Sequence, residues 1–206
     1  MATLTQNIWD EKFKTNNFYN YEIQPFAREA VSLFSSHNVK TILDLGCGQG
    51  QDSMFFAQQG FKVTSLDFSE QALSCFDHPN IQKIRADMRN IDQLQSNSFD
   101  AVYASFSVHF FTISELKNIL KNVHQILKPN GFFLFIAKNP KDKYFGKGTQ
   151  IEQNTFVSEG ITRHFFTEEE ILSLISEFKL ISCTEDSHFM KNDPLSFYYK
   201  LLTKKP

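Results

Sequence analysis

Residues 42–53 read ILDLGCGQGQDS: an apolar run that ends in an acid and then breaks into alternating glycines. Bare backbone at that point has to lie close to another group. Short apolar runs rich in β-branched and aromatic residues recur at 41–45, 62–67, 81–87, 99–105 and 131–137. Segments 50–59, 69–77 and 114–127 between them read as helices, and the last puts Leu116, Ile119, Leu120, Val123, Ile126 and Leu127 on one face. Strands alternating with helices imply a parallel sheet covered on both sides. Ligands of such sheets settle beyond the carboxyl ends of the strands, so the glycine loop is where to look.

The last third has another pattern. Thr167 and Glu170 form a capping box ahead of a helical run at 167–178. Two strand candidates follow, 179–186 and 195–203, joined by a turn-rich KNDP and no helix, which predicts an antiparallel hairpin at the sheet edge. Residues 139–163 are polar and read as an irregular, lid-like loop. Residues 1–38 read as an N-terminal cap with a helix near 25–34, so residues 1–206 form one domain.

Composition narrows the classes. A chain of 206 residues with 41% hydrophobic and 21% charged residues suits one globular domain. A net charge of −2 gives no basic field for nucleic acid. Cys47, Cys75 and Cys183 show no C-x-x-C spacing, so neither a zinc site nor a disulfide framework is expected. The start is too polar for a signal peptide, and no apolar run approaches the ~18 residues of a membrane span. A cytoplasmic protein without metal or membrane partner, monomeric or homodimeric, is the expectation. The 23 phenylalanines are read as core.

The glycine loop tests three ligands. A phosphate-binding P-loop needs Lys and Ser/Thr after its last glycine, whereas Gln51 and Asp52 follow Gly50. The dinucleotide pattern fits Gly46 and Gly48 but meets Gln51 in place of its third glycine. Asp44 is poorly placed for a pyrophosphate and well placed for a cation. Asp67 ends the next strand and can accept ribose hydroxyls. Asp87 and Met88 follow the third strand, where an acceptor and an apolar side chain suit an adenine ring.

As an ordered set, DLGCGQG, the acid at Asp67 and the later ADM resemble the class I S-adenosylmethionine-dependent methyltransferases, over about residues 40–140. FDAVYASFSVHFF and LKPNGFFLFIA are similar to that family's fourth and fifth strand motifs. The resemblance implies a Rossmann-like α/β fold: a seven-stranded, mostly parallel sheet with an antiparallel C-terminal strand and helices on both faces. It implies S-adenosyl-L-methionine as cofactor, held by Asp44, Gly46, Cys47, Gly48, Gly50, Asp67, Phe68, Asp87, Met88 and Ser105. The N-terminal segment is similar to the cap of small-molecule methyltransferases of the tellurite-resistance and thiopurine type, although Phe13 replaces its first aromatic and no glycine follows Tyr21.

Trp9, Tyr19, Tyr21, Phe106 and Tyr144 are the candidates for the substrate pocket. His109, Arg163 and His164 are the candidates for chemistry, and each has an ordinary reading as a packed or solvated side chain. No residue stands out as a general base. The expected acceptor is therefore a small molecule with a soft or already ionised nucleophile, such as a thiol or a metalloid oxyanion. Two competing readings remain: a methyltransferase-fold protein that binds the cofactor without turnover, and a nicotinamide-dependent reductase, which lacks a Tyr-x-x-x-Lys pair.

Overall fold

A computed structural model describes residues 4–15, 23–190 and 193–206. Strands β1 (Thr41–Leu45), β2 (Lys62–Asp67), β3 (Ile81–Arg85), β4 (Phe99–Ser105), β5 (Leu127–Lys138), β9 (Lys179–Met190) and β10 (Asp193–Lys204) form one sheet in the order β3-β2-β1-β4-β5-β10-β9. The first five are parallel, and β10 runs antiparallel to both neighbours. This is the seven-stranded sheet that the sequence implies. The strand order reverses between β1 and β4, so the ligand crevice of such a sheet lies at their carboxyl ends.

Alternation along the strands divides the core into two layers. Ile42, Val63, Ala101, Tyr103, Phe132, Leu134 and Ile136 face helices α2 (Pro25–Ser36) and α3 (Gln51–Gln58). Leu43, Leu45, Val102, Ala104, Phe133 and Phe135 face α5 (Ile113–Ile126) and α6 (Glu168–Leu174). Phenylalanine fills both layers. Phe34 meets Phe56, Phe61 and Phe132 with ring centroids 6.2 to 6.4 Å apart. Each such side chain contributes about 1.5–3 kcal/mol by leaving water. The expected capping box of Thr167 with Glu170 forms, and the structure shows a second, of Thr112 with Glu115, at the start of α5.

Two local expectations are corrected. The helix read at 69–77 is one turn, α4 (Glu70–Leu73), capped by Ser69. The helix expected near 25–34 is present as α2 and is part of the sheet-covering layer, since Phe26, Ala27, Ala30 and Phe34 are buried in it. Residues 139–163 are not irregular: turns to Gly148 lead into an antiparallel meander of β6 (Thr149–Glu152), β7 (Thr155–Ser158) and β8 (Ile161–His164). These strands are four residues long and polar on their exposed side, so they carry little hydrophobic period to read. Among the described residues, no helix is long and apolar enough to cross a membrane.

Candidate active site

The glycine loop is pinned to the second strand. Gly46 and Cys47 donate their backbone N–H groups to the Leu66 carbonyl at 2.8 and 3.0 Å. Gly46 has φ +77, and a Cβ there would stand 2.5 Å from Ser107 Cβ and 2.9 Å from Met88 Cε. At Gly50, also φ +77, a Cβ would overlap the Phe76 ring. Space and backbone conformation both demand glycine at these two positions.

Three carboxylates gather around the loop. Asp67 accepts the N–H of Gly48 on one oxygen and that of Ser69 on the other, each at 2.9 Å. Asp44 accepts the Ser53 hydroxyl at 2.5 Å, and Ser53 in turn accepts the Ser65 hydroxyl at 2.6 Å. Asp52 accepts the Tyr103 hydroxyl at 2.7 Å. Burial and the neighbouring Asp52 push the Asp44 carboxyl up to about 8. Burial raises Asp52 and Asp67 to about 6 each. A site that holds three acids at this cost is suited to a ligand with positive charge and no phosphate.

Asp87 stands where the sequence places it but is already engaged. Both its oxygens accept from Arg89, whose Nη1 reaches Glu115 at 2.9 Å. Burial raises the Asp87 carboxyl, but the Arg89 hydrogen bonds outweigh that and hold it below its ordinary value. Met88 is buried and lies against Gly46. Cys47 is half-buried, with its thiol 3.6 Å from the Gly48 carbonyl. Ser105 ends β4.

Helix α1 (Leu4–Thr15) closes over this edge. Gln6 donates to the Phe68 carbonyl at 2.9 Å, Asp10 accepts the Ser69 hydroxyl, and the Phe13 ring lies 3.6 Å from where a Gly48 Cβ would be. Trp9 stacks edge-on against Phe110 at 4.9 Å. A Cβ on Gly160, in the β7–β8 turn, would stand 2.6 Å from Ile8. One helix thus touches the glycine loop, the turn after β4 and the meander. Tyr19 and Tyr21 lie outside the described residues.

Phe106 follows β4 with φ +50, a left-handed conformation that costs a non-glycine residue about 1–2 kcal/mol. Its ring packs against Tyr198 at 5.1 Å and His109 at 6.2 Å. His109 is 1% exposed, and among the described residues neither ring nitrogen has a hydrogen-bond partner. Burial, with the positive charges of Lys138, Arg163 and His164 around it, holds this imidazole well below its ordinary pKa. It is neutral at physiological pH. His164 is buried too, but its Nδ1 meets the Thr155 hydroxyl at 2.8 Å, which ties β8 to β7. Arg163 lies over the Tyr144 ring, its Cζ 4.9 Å from the centroid.

Sequence reading missed several contributors. Phe76 and Ser107 shape the space around the glycines, yet as single apolar or small residues far away in sequence they give no local signal, and Phe13, read only as an aromatic of the N-terminal cap, joins them there. Lys138, Asp142 and Ser196 form a buried triad at the end of β5, with contacts of 2.7 to 3.0 Å. Lys138 and Asp142 are four residues apart, and the antiparallel register of β10 on β5 brings Ser196 to them.

Comparison with known proteins agrees with this geometry. Residues 43–135 match the methyltransferase domain family. The chain is similar to an uncharacterized methyltransferase of Synechocystis, 33% identical over 97 residues that make up 46% of this chain and 45% of that one. It spans about half the length of the curated relatives it matches. Among solved structures, TehB from Haemophilus influenzae superposes with a TM-score of 0.71 at 18% identity, over 96% of this chain and 67% of that one. A Burkholderia thailandensis 1,6-didemethyltoxoflavin-N1-methyltransferase, solved with S-adenosylhomocysteine and its acceptor, gives 0.72 at 17% identity, over 100% and 91%. The fold is that of the class I S-adenosylmethionine-dependent methyltransferases.

Proposed function

We propose that this chain is an S-adenosylmethionine-dependent methyltransferase acting on a small molecule in the cytoplasm. The observation that carries the reading is the Asp67 carboxylate fixed at the β2 end against the Gly48 N–H, beside a loop whose glycines admit close backbone approach. In this reading Gly46, Cys47, Gly48 and Gly50 lie against the methionine part of the cofactor, and Asp44 faces its positive charge. Asp67 takes the ribose hydroxyls. Phe68, Asp87 and Met88 border the adenine ring, and Ser105 closes the far side. When bound, the cofactor supplies a methyl group on a positively charged sulfur.

What the protein must add is alignment and exclusion of water. Holding the nucleophile in line with the methyl group can contribute about 7–11 kcal/mol. Trp9, Phe106 and Tyr144, on three separate elements, are the proposed walls of the acceptor pocket. A neutral imidazole with a depressed pKa is a poor base, so His109 does not carry a proton away. An acceptor that is soft or already ionised needs no base, which favours such a nucleophile over an amine or alcohol. Transfer of a labelled methyl group to a panel of thiols, metalloid oxyanions, amines and phenols tests this. Product from none of them, with the cofactor bound, would contradict turnover and leave a binding protein.

A further inference from the structure

Arg89 grips Asp87 with its backbone and its side chain. Its backbone N–H and Nε reach Asp87 Oδ1 at 2.9 and 3.0 Å, and its Nε and Nη2 reach Oδ2 at 3.1 and 2.5 Å. The guanidinium edge and the carboxylate thus meet as a two-pronged fork. The far end of the guanidinium is held as well. Nη1 donates to Glu115 Oε1 at 2.9 Å, and Cζ lies 5.9 Å from the centroid of the Phe111 ring. Glu115 is itself fixed, since its Oε2 accepts the backbone N–H and the hydroxyl of Thr112, each at 3.0 Å. One arginine therefore ties the acid after β3 to the capped start of α5.

Capping the turn does not need this fork. The Asp87 side chain caps the turn by accepting the Arg89 backbone N–H, and the guanidinium adds nothing to that contact. Exposed ion pairs also contribute little to stability. What the guanidinium does is fix the orientation of the carboxylate. A carboxylate offers about four lone-pair positions. Among the described residues, both positions of Oδ1 are taken and Oδ2 keeps one. Asp87 is only part-buried, so that position is open to a ligand. Its surroundings suit a nucleoside. Ala86 donates its N–H to the Asp67 carbonyl at 3.0 Å, and Asp67 pairs with Arg85 in the sheet, so Asp87 stands one strand away from the proposed ribose acceptor. Met88, next in the chain, is buried and reaches the Gly46 side of the crevice.

We propose that Arg89 is a positioning residue: it holds Asp87 so that Oδ2 accepts the 6-amino group of the cofactor's purine, and the site thereby selects a 6-amino over a 6-oxo purine. The inference rests on the methyltransferase reading, in which Asp87 borders the adenine ring, and adds a residue which that reading does not use. A 6-oxo purine puts a carbonyl oxygen where the amino group stands. Two acceptors then face each other with no proton to share, which is costly only if the carboxylate cannot turn away. The fork prevents that turn. It also orders the carboxylate before the ligand arrives, so that binding loses little rotamer freedom there. Without the guanidinium, Asp87 is free to rotate, and the penalty on the oxo group falls.

The test titrates the folded chain with S-adenosylhomocysteine and with S-inosylhomocysteine, its 6-oxo counterpart, and reads the ratio of the two affinities. A hydrogen bond to a charged group gives the wild-type chain a preference of roughly tenfold to a hundredfold for the adenosyl ligand. Arg89→Gln should bring the two affinities to within about threefold of each other, mainly by weakening the adenosyl ligand. Glu115→Gln keeps the capping box but removes the charge at the outer end of the guanidinium. It should lower the preference in the same direction by less, and it keeps the test open if the first variant folds poorly. A residue that only supports the fold would weaken both ligands alike and leave the ratio where it was. A ratio unchanged in the folded variants, or a wild-type chain that binds both ligands equally, would overturn the proposal. Failure of the wild-type chain to bind either ligand would instead overturn the methyltransferase reading beneath it.

Discussion

The Asp67 carboxylate accepts the Gly48 backbone N–H at 2.9 Å, which makes the end of β2 and the loop after β1 one hydrogen-bonded unit. Any ligand against the loop therefore lies within reach of the acid. Asp67→Asn keeps an acceptor oxygen for Gly48 but removes the charge, and it also removes a carboxylate that burial penalises. The expected outcome is a loss of roughly 2–4 kcal/mol in S-adenosylhomocysteine binding with little change in folding. Calorimetry paired with thermal melting checks this. An unfolded variant whose residual folded fraction binds normally would make Asp67 a structural residue only.

The buried acids give stability a pH dependence of definite sign. Asp52 and Asp67 are raised from 3.8 to about 6, and Asp44 to about 8. The folded chain therefore keeps protons that the unfolded chain has released. Their contribution favours the fold at low pH and fades as pH rises from about 4 towards about 8. A tenfold difference in proton affinity between the folded and unfolded chain is worth about 1.4 kcal/mol. Asp44→Asn should flatten the upper part of this slope, between about pH 6 and 8. Denaturant titrations across that range measure it, and an identical slope in the variant contradicts the assignment.

Binding a cation beside Asp44 should ionise it. At neutral pH, S-adenosylmethionine binding is then expected to release protons. The heat of binding in two buffers of different ionisation enthalpy reports the number released. Equal heats in both buffers would mean that Asp44 does not face the ligand's charge.

Gly50→Ala asks whether the loop's shape is obligatory. The added Cβ would overlap the Phe76 ring, and φ +77 costs a further ~1–2 kcal/mol. Destabilisation of at least about 2 kcal/mol is expected, partly relieved by Phe76→Leu. Additive effects of the two substitutions in a double-mutant cycle would contradict the contact.

Much of this was legible in the sequence because its signals are local. Strand ends that carry Asp44, Asp67 and Asp87 follow apolar runs, and the glycines sit at one strand-to-helix turn. Capping boxes announce themselves within four residues, as Thr167 and Glu170 did. The meander was hidden because its strands are short and pair only with one another. The engagement of Asp87 by Arg89 was two residues away and still unread, since spacing alone does not tell a turn cap from a ligand contact. His109 was visible as a residue but not as a buried, partnerless one. That property comes from packing by β8 and β5, which lie further along the chain.

The contacts of α1 with both the loop and the meander define a cover that can be measured. Ile8 against Gly160, Trp9 against Phe110 and Phe13 against Gly48 are all small apolar contacts. Ligand binding should slow amide exchange in α1 and in β7–β8 as well as in residues 44–50. Protection confined to 44–50 would mean that the helix and the meander take no part in closure.

The most direct measurement of the central claim is titration of the folded chain with S-adenosylmethionine and with S-adenosylhomocysteine in a calorimeter, with NADH as a control. Saturable binding of both at one site, with Kd on the order of micromolar, is expected, together with a large loss in Asp67→Asn and no heat from NADH. Absence of heat from both adenosyl ligands in a sample that melts cooperatively would contradict the methyltransferase reading.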